Sequence, residues 1–242
     1  MNKFLFKHID NSALIVFRML FGALIFLESI GAVLTGWIRR TLVEPEFTFN
    51  FIGFDLMQKS SYNNHYYFLM VLSTVMVILP AHKYASIDVK QNPSIKMESM
   101  PNWCRWFFII QVFILYTYGS IAKMYPDWLD LTVPELLMKS KAHYVLVGNV
   151  LQQKFVQYMV AYGGILFDGL IIPLLLWKRT RRIAFFMSIF FHLFNSFIFQ
   201  VGIFPYLSLA FAVFFYEPQV IQKLFLKGKT LFSEEKIEIP SY

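Results

Sequence analysis

The sequence predicts an all-α, polytopic transmembrane helix bundle of about six spans. Three observations carry that prediction. The chain is 57% hydrophobic and only 15% charged, whereas a soluble domain of this size has a charged fraction of about 25%. Apolar runs of about 20 residues, the length that crosses a bilayer core, recur along the chain. The runs lack the strict alternation of a barrel strand, so the backbone is satisfied within helices.

Span A runs from Ala13 to Trp37 and follows lysines at positions 3 and 7. It contains Arg18 and Glu28 and has no small-residue cleavage pattern, so it reads as a retained span and not as a leader. Span B, from Asn64 to Ala81, is short. Span C runs from Trp103 to Ala122, and span D from Phe155 to Trp177. The stretch Ile183 to Tyr216 is too long for one helix, so it divides near Gln200-Val201-Gly202 into spans E and F. Between C and D, "TVPELL" predicts a short interfacial helix with Thr132 as N-cap, Pro134 in the first turn and Glu135 near the positive helix end. The spans form one membrane domain over 1–216. Residues 217–242 make a cytoplasmic tail, amphipathic over "EPQVIQKLFLKGK" and mobile after Lys229.

Charge sets the orientation. "KRTRR", Lys178 to Arg182, occupies a very short loop, where positive charge is most telling. With that loop in the cytoplasm, fourteen Lys and Arg residues lie inside and six outside, and both termini are cytoplasmic. The expected location is a bacterial cytoplasmic membrane. The net charge of +7 suits anionic lipid headgroups, and no nucleic-acid motif accompanies it. Cys104 is the only cysteine, which excludes an intrachain disulfide. No H-E-x-x-H or similar spacing occurs, so no metal is expected.

Several polar residues stand out in this apolar background. Lys123 ends a run, Phe107 to Ala122, that has no charged side chain. Two states are open to it. Its ammonium can snorkel to headgroups, or burial can favour a neutral amine able to take a proton from a weak acid. Tyr116, Tyr118, Tyr125 and Trp128 are candidate walls for such a site. His65, in "SYNNHYYF", falls at a similar depth on the outer side by topology. It reads either as part of an interfacial helix start, capped by Asn63 or Asn64, or as a partner for the lysine. His192 and Asn195, three apart in span E, share one helix face and serve either as interhelical contacts or as ligand contacts. Asp168 lies at mid-depth among Gly163, Gly164 and Gly169, which allow close helix approach. A charge there needs a partner, and Arg18 is the expected one, in a structural ion pair. Glu28 has no partner that the sequence names.

"FRMLFG", "YNNHYYF", "IAKMYPDW", "GGILFDG" and "FHLFNSFIFQVGIFPY" together resemble the vitamin K-dependent gamma-glutamyl carboxylase family, over roughly Phe17 to Tyr216 and in the same order. In bacteria this region is called the HTTM (horizontally transferred transmembrane) domain. The resemblance implies that Lys123 deprotonates reduced vitamin K, or another isoprenoid hydroquinone, and that His65 hydrogen-bonds and tunes it. Oxygen then adds, the resulting alkoxide removes a proton from a glutamate side chain, carbon dioxide traps the carbanion, and the quinone leaves as its epoxide. Asn63, Asn64, His192, Asn195, Tyr118 and Trp128 are the implied quinone- or substrate-binding residues. Two departures accompany the resemblance. Two spans are missing between Gly53-Phe54 and the NNH motif, and the large soluble domain of the peptide carboxylases does not follow span F.

The reading that results is a carboxylase-like membrane lyase, with outward-facing Lys123 and His65 and with hydroquinone, oxygen and carbon dioxide as reactants. Its partners are membrane lipid, a quinone and a glutamate-containing peptide. A non-catalytic assembly or binding protein with the same fold is one alternative. A small transporter lined by Asp168, Arg18 and Glu28 is the other.

Overall fold

A computed structural model describes residues 3–44, 64–199 and 201–231, with the backbone alone for residues 41, 42, 64, 65 and 229–231. In chain order the elements are α1 (Lys3–Phe6), β1 (His8–Asp10), α2 (Ser12–Leu34), α3 (Asn64–Ile78), α4 (Ile87–Gln91), β2 (Ser99–Pro101) and α5 (Asn102–Ala122). Then follow α6 (Pro126–Leu129), α7 (Thr132–Lys139), α8 (Gly148–Leu151), α9 (Lys154–Leu176), α10 (Arg181–Phe199), α11 (Phe204–Ala210) and α12 (Pro218–Leu231). Among the described residues α2, α5, α9 and α10 are long and apolar enough to cross a membrane. Only 22% to 33% of each is buried within the protein, so most of their apolar surface is left for lipid. This is a multi-pass helical membrane protein.

About six spans were expected; among the described residues four helices qualify, or five when a bent pair is counted as one. That pair is Phe204–Phe214 and Pro218–Gly228, which meet at 115°. The break before it lies where the sequence places it: α10 stops at Phe199, and Gly202 has a positive φ of 64°. Span F itself is cut short. α11 passes into a 3₁₀ turn, Phe211–Phe214, and stops there. Span B is the fifteen-residue helix α3. Such a helix is about 22 Å long, less than the hydrocarbon thickness. Pro80 follows it and cannot continue the ladder.

The chain forms two compact units. The first comprises Met1–Cys104, Gly202–Val213 and Glu217–Tyr242. Its β1 and β2 pair antiparallel with Ile9 opposite Met100, and the Asn11 amide donates to the Met97 carbonyl at 2.7 Å. The Asp10 carboxylate accepts the Ser12 N–H at 2.8 Å and so starts α2. Gly36, at φ 69°, ends α2 with a left-handed residue. α11 lies along α2, with Gly202 beside the Glu28 carboxylate and Phe211 4.8 Å from the Phe17 ring. The predicted amphipathic tail segment is helical. α12 rests against α2 and β1 with Ile221 buried, and its Phe225 ring lies 5.9 Å from Tyr84. The part called mobile, after Lys229, lies outside the residues whose side chains are described.

Arg18 does not pair with Asp168. Its guanidinium donates to the carbonyls of Ala81, Tyr84 (3.1 Å) and Ala85 (2.7 Å), in the turn after α3. The reason is backbone accounting: carbonyls past a helix end inside an apolar setting need donors, and a planar guanidinium supplies several. Ala85 is held at φ 47°, unusual for a residue with a Cβ.

The second unit comprises Arg105–Val201 and Phe214–Tyr216. α9 and α10 pack side by side, and α6, α7 and α8 lie against α9. Met138, Leu151 and Ile198 form a buried cluster with Val156 and Phe194 around it. Pro173 interrupts the ladder near the end of α9. The carbonyls of the last turn are met by Thr180 Oγ1 on Leu174 (2.7 Å) and by Arg181 on Leu175 (2.9 Å). The interfacial helix forms as α7, but Thr132 is its first residue and not its cap. The Asp130 carboxylate accepts the Thr132 N–H at 2.9 Å instead. Glu135 bridges Lys139 at 3.1 Å and Lys154, and both ammonium groups hold its carboxyl below the ordinary glutamate value.

Replacing Arg18 by Met leaves three carbonyls without their donor. Charge-assisted hydrogen bonds contribute about 1.5–3 kcal/mol each when net. Arg18→Met is expected to lower unfolding stability in mild detergent by about 2 kcal/mol or more, with Arg18→Lys recovering only part of it. Equal stability of the wild type and Arg18→Met would contradict this account of the turn.

Candidate functional site

The site is built where α5 ends. The Lys123 N–H closes the last turn on the Ser120 carbonyl at 3.1 Å. Long side chains on a helix lean back toward its N-terminus, and the Lys123 ammonium does so, reaching the Gly119 carbonyl at 3.3 Å. It then meets Asp168 of α9, with Nζ and Oδ2 2.5 Å apart. The Lys123 side chain is 25% exposed and the Asp168 side chain 8%. Neither of the states open from sequence describes this lysine: it is neither snorkelled nor a lone amine, but half of a largely buried ion pair.

Three glycines make the pair possible. A Cβ on Gly119 would sit 3.0 Å from Asp168 Oδ2. A Cβ on Gly164 would touch the Lys123 stem at 3.7 Å, and one on Gly169 would be 3.3 Å from Ser120 Oγ. Small residues let two helices approach within reach of a short carboxylate. Ser120 Oγ adds a direct bond to the Ile165 carbonyl at 3.0 Å. Gly163, which sequence grouped with the others, faces open space.

Trp128, on α6, sits over the amine with its ring centroid 5.8 Å from Nζ. Its indole N–H donates to the Ala161 carbonyl at 3.2 Å, which anchors the ring to α9. Tyr118 leaves the group: it is 70% exposed, two residues from Tyr116 and so on the other side of α5. Tyr125 is exposed as well.

Tyr116, named from sequence as a candidate wall beside Lys123, bonds to a histidine instead. It lies seven residues before Lys123, on the same helix face as Ser120, and its hydroxyl is 2.6 Å from His192 Nε2 on α10. Phe167 and Phe191 enclose the imidazole edge-on, at 5.7 and 5.4 Å. His192 is buried and Asn195 is half-buried. α5 thus carries a line of polar groups, Tyr116, Ser120 and Lys123, each tied to a neighbouring helix. In the first unit the orphan Glu28 also finds a partner, the Tyr66 hydroxyl at 3.0 Å. Asn63 lies outside the described residues. Asn64 and His65 form the start of α3, and their side chains lie outside them as well.

A family model, the HTTM domain, matches residues 6–59 and 55–219. The chain belongs to the HTTM domain family. The two matched segments meet at 55–59, the place where the sequence resemblance puts the two missing spans. No solved structure matches the chain.

The glycines allow a matched test. Gly119→Ala forces its Cβ against the Asp168 carboxylate, an overpacking that costs about 1–3 kcal/mol. Gly163→Ala meets nothing within 4 Å and gains helix propensity. Thermal unfolding in detergent should place Gly119→Ala clearly below the wild type and Gly163→Ala at or above it. The reverse order would contradict the close approach of α5 and α9.

Proposed function

We propose that this HTTM protein is a carboxylase-like membrane enzyme in which Lys123 takes the proton from an isoprenoid hydroquinone such as reduced vitamin K. The observation that carries the reading is a lysine held inward by a buried carboxylate, at the end of an apolar helix, in a chain of this family. The residues suit such a ring. Trp128 offers an aromatic face beside Nζ, Gly164 leaves the lysine stem uncovered by any side chain of its own, and part of Lys123 stays accessible. When bound, the hydroquinone supplies the reducing equivalents that, with oxygen, make a base strong enough for carboxylation of a glutamate-containing peptide.

The chain's own residues have narrower tasks. Lys123 accepts a proton at Nζ, Asp168 and the Gly119 carbonyl orient that nitrogen, and Trp128 limits water over it. His65 tunes the lysine in this reading, and His192 with Tyr116 lines the deeper end of the polar face. The protein sits in a bacterial cytoplasmic membrane with the lysine on the outer side and both termini in the cytoplasm. The fourteen-to-six distribution of Lys and Arg supports that orientation. So does the packing of α12 against β1, which brings the chain's two end segments together. The transporter reading draws no support from Arg18 and Glu28, each of which closes a local bond.

The test is purification in mild detergent, followed by mass spectrometry for a co-purifying quinone and for its epoxide after reduction and exposure to oxygen. The wild type should form epoxide and Lys123→Ala should not. Equal epoxide from both would remove Lys123 from the role of base, and bound quinone without epoxide would contradict the enzymatic reading.

A further inference from the structure

A base that is ion-paired is not a base. The Lys123 nitrogen lies 2.5 Å from Asp168 Oδ2 and 3.3 Å from the Gly119 carbonyl, so it faces two acceptors at once. Both acceptors can take hydrogens that an ammonium group donates. Asp168 is the more buried of the two charged partners, and a carboxylate so placed requires a counter-charge. Removing a proton from Lys123 to water would leave that carboxylate alone in an apolar bundle. Passing the proton across the pair would not.

We infer that Asp168 is the positioning residue that holds Lys123 as an ammonium ion in the resting protein, and that the amine is released by transfer of the proton from Nζ to Oδ2 within the pair. An N–H bond breaks and an O–H bond forms. Ammonium plus carboxylate becomes amine plus carboxylic acid, and the pair is neutral in total before and after. No charge is added to the bundle by arming the base. When the amine then takes a proton from an acidic hydroxyl, the new ammonium faces the substrate anion while Asp168 stays neutral, so charge again balances locally. This inference rests on the reading of Lys123 as the base, and it supplies what that reading lacks, a place for the proton.

Three features of the fold act toward this one contact. Gly119 leaves room for the carboxylate, which a Cβ there would crowd at 3.0 Å. Gly164 lets the lysine stem lie flat on α9, and Trp128 covers the nitrogen from α6. Lys123 and Asp168 approach from the ends of two different helical turns, so neither helix alone creates the pair.

Amine-selective acetylation reads the protonation of Lys123 directly and needs no quinone. The full-length protein in detergent is labelled with isotopic acetic anhydride at about pH 7.5 and again at high pH, where every accessible lysine is an amine. The ratio of the two for the Lys123 peptide cancels accessibility. Asp168→Asn should raise that ratio about tenfold. Asp168→Glu should keep it near the wild-type value. Asp168→Ala, which also removes the carboxylate, should raise the ratio as well and serves if Asp168→Asn does not accumulate. An unchanged ratio in the tested variant overturns the inference. A raised ratio in a protein that forms no epoxide upholds Asp168 as the residue that holds the ammonium and removes the proton-release step together with the enzymatic reading.

Discussion

A single salt bridge between two membrane-spanning helices constrains much of the second unit. Lys123 Nζ reaches Asp168 Oδ2 across the space between α5 and α9, and Gly119, Gly164 and Gly169 border the side chains that meet there. Ser120 reinforces it through the Ile165 carbonyl, and Trp128 through the Ala161 carbonyl. The pair is not an ornament to helix packing. Two charges taken from water are costly, and breaking such a pair by removing one member typically costs about 3–5 kcal/mol. Neither residue can therefore be lost alone without consequence, whatever the protein does.

The same accounting runs through the other spans. Lipid offers no hydrogen bonds, so polar groups at membrane depth meet partners from the protein. Arg18 serves the carbonyls of the turn after α3, Glu28 accepts the Tyr66 hydroxyl, and His192 meets Tyr116. These contacts tie together helices distant in sequence. They also separate roles. Arg18 and Arg181 donate to backbone carbonyls, Glu28 and His192 are each bonded to a tyrosine, and of these five described residues Lys123 alone pairs with a buried carboxylate while part of its side chain stays accessible.

Much of this fold was legible in the chain. Spans A, C, D and E follow from apolar runs whose ends carry clear signals, such as Gly36 after α2 and the basic loop after α9. The break at Gly202 was legible for the same reason. The early end of span F was not. Phe204 to Phe215 is apolar but for Ser208, so periodicity carries no mark of the 3₁₀ turn that stops the helix at Phe214. In the site, Lys123 was visible as the first charge after sixteen uncharged residues. The partner of Asp168 was given as Arg18 because depth in a membrane does not say which helices are neighbours, and Arg18 looked as suitable as Lys123. The better clue was local: "GSIAK" and "GGILFDG" each place small residues within a turn of the charge. Tyr116 was named from sequence as a wall of the lysine site, but among 13 tyrosines and 28 phenylalanines nothing marked it as the partner of His192.

The account stands or falls on whether Lys123 and Asp168 act as a unit. A double-mutant cycle with Lys123→Met and Asp168→Leu, read as unfolding free energy in detergent, measures this directly. Each single change should be strongly destabilising, the double change should cost far less than their sum, and the coupling should be about 2–3 kcal/mol. Costs that add to within about 0.5 kcal/mol would mean that the two side chains do not interact, and the central claim would be wrong.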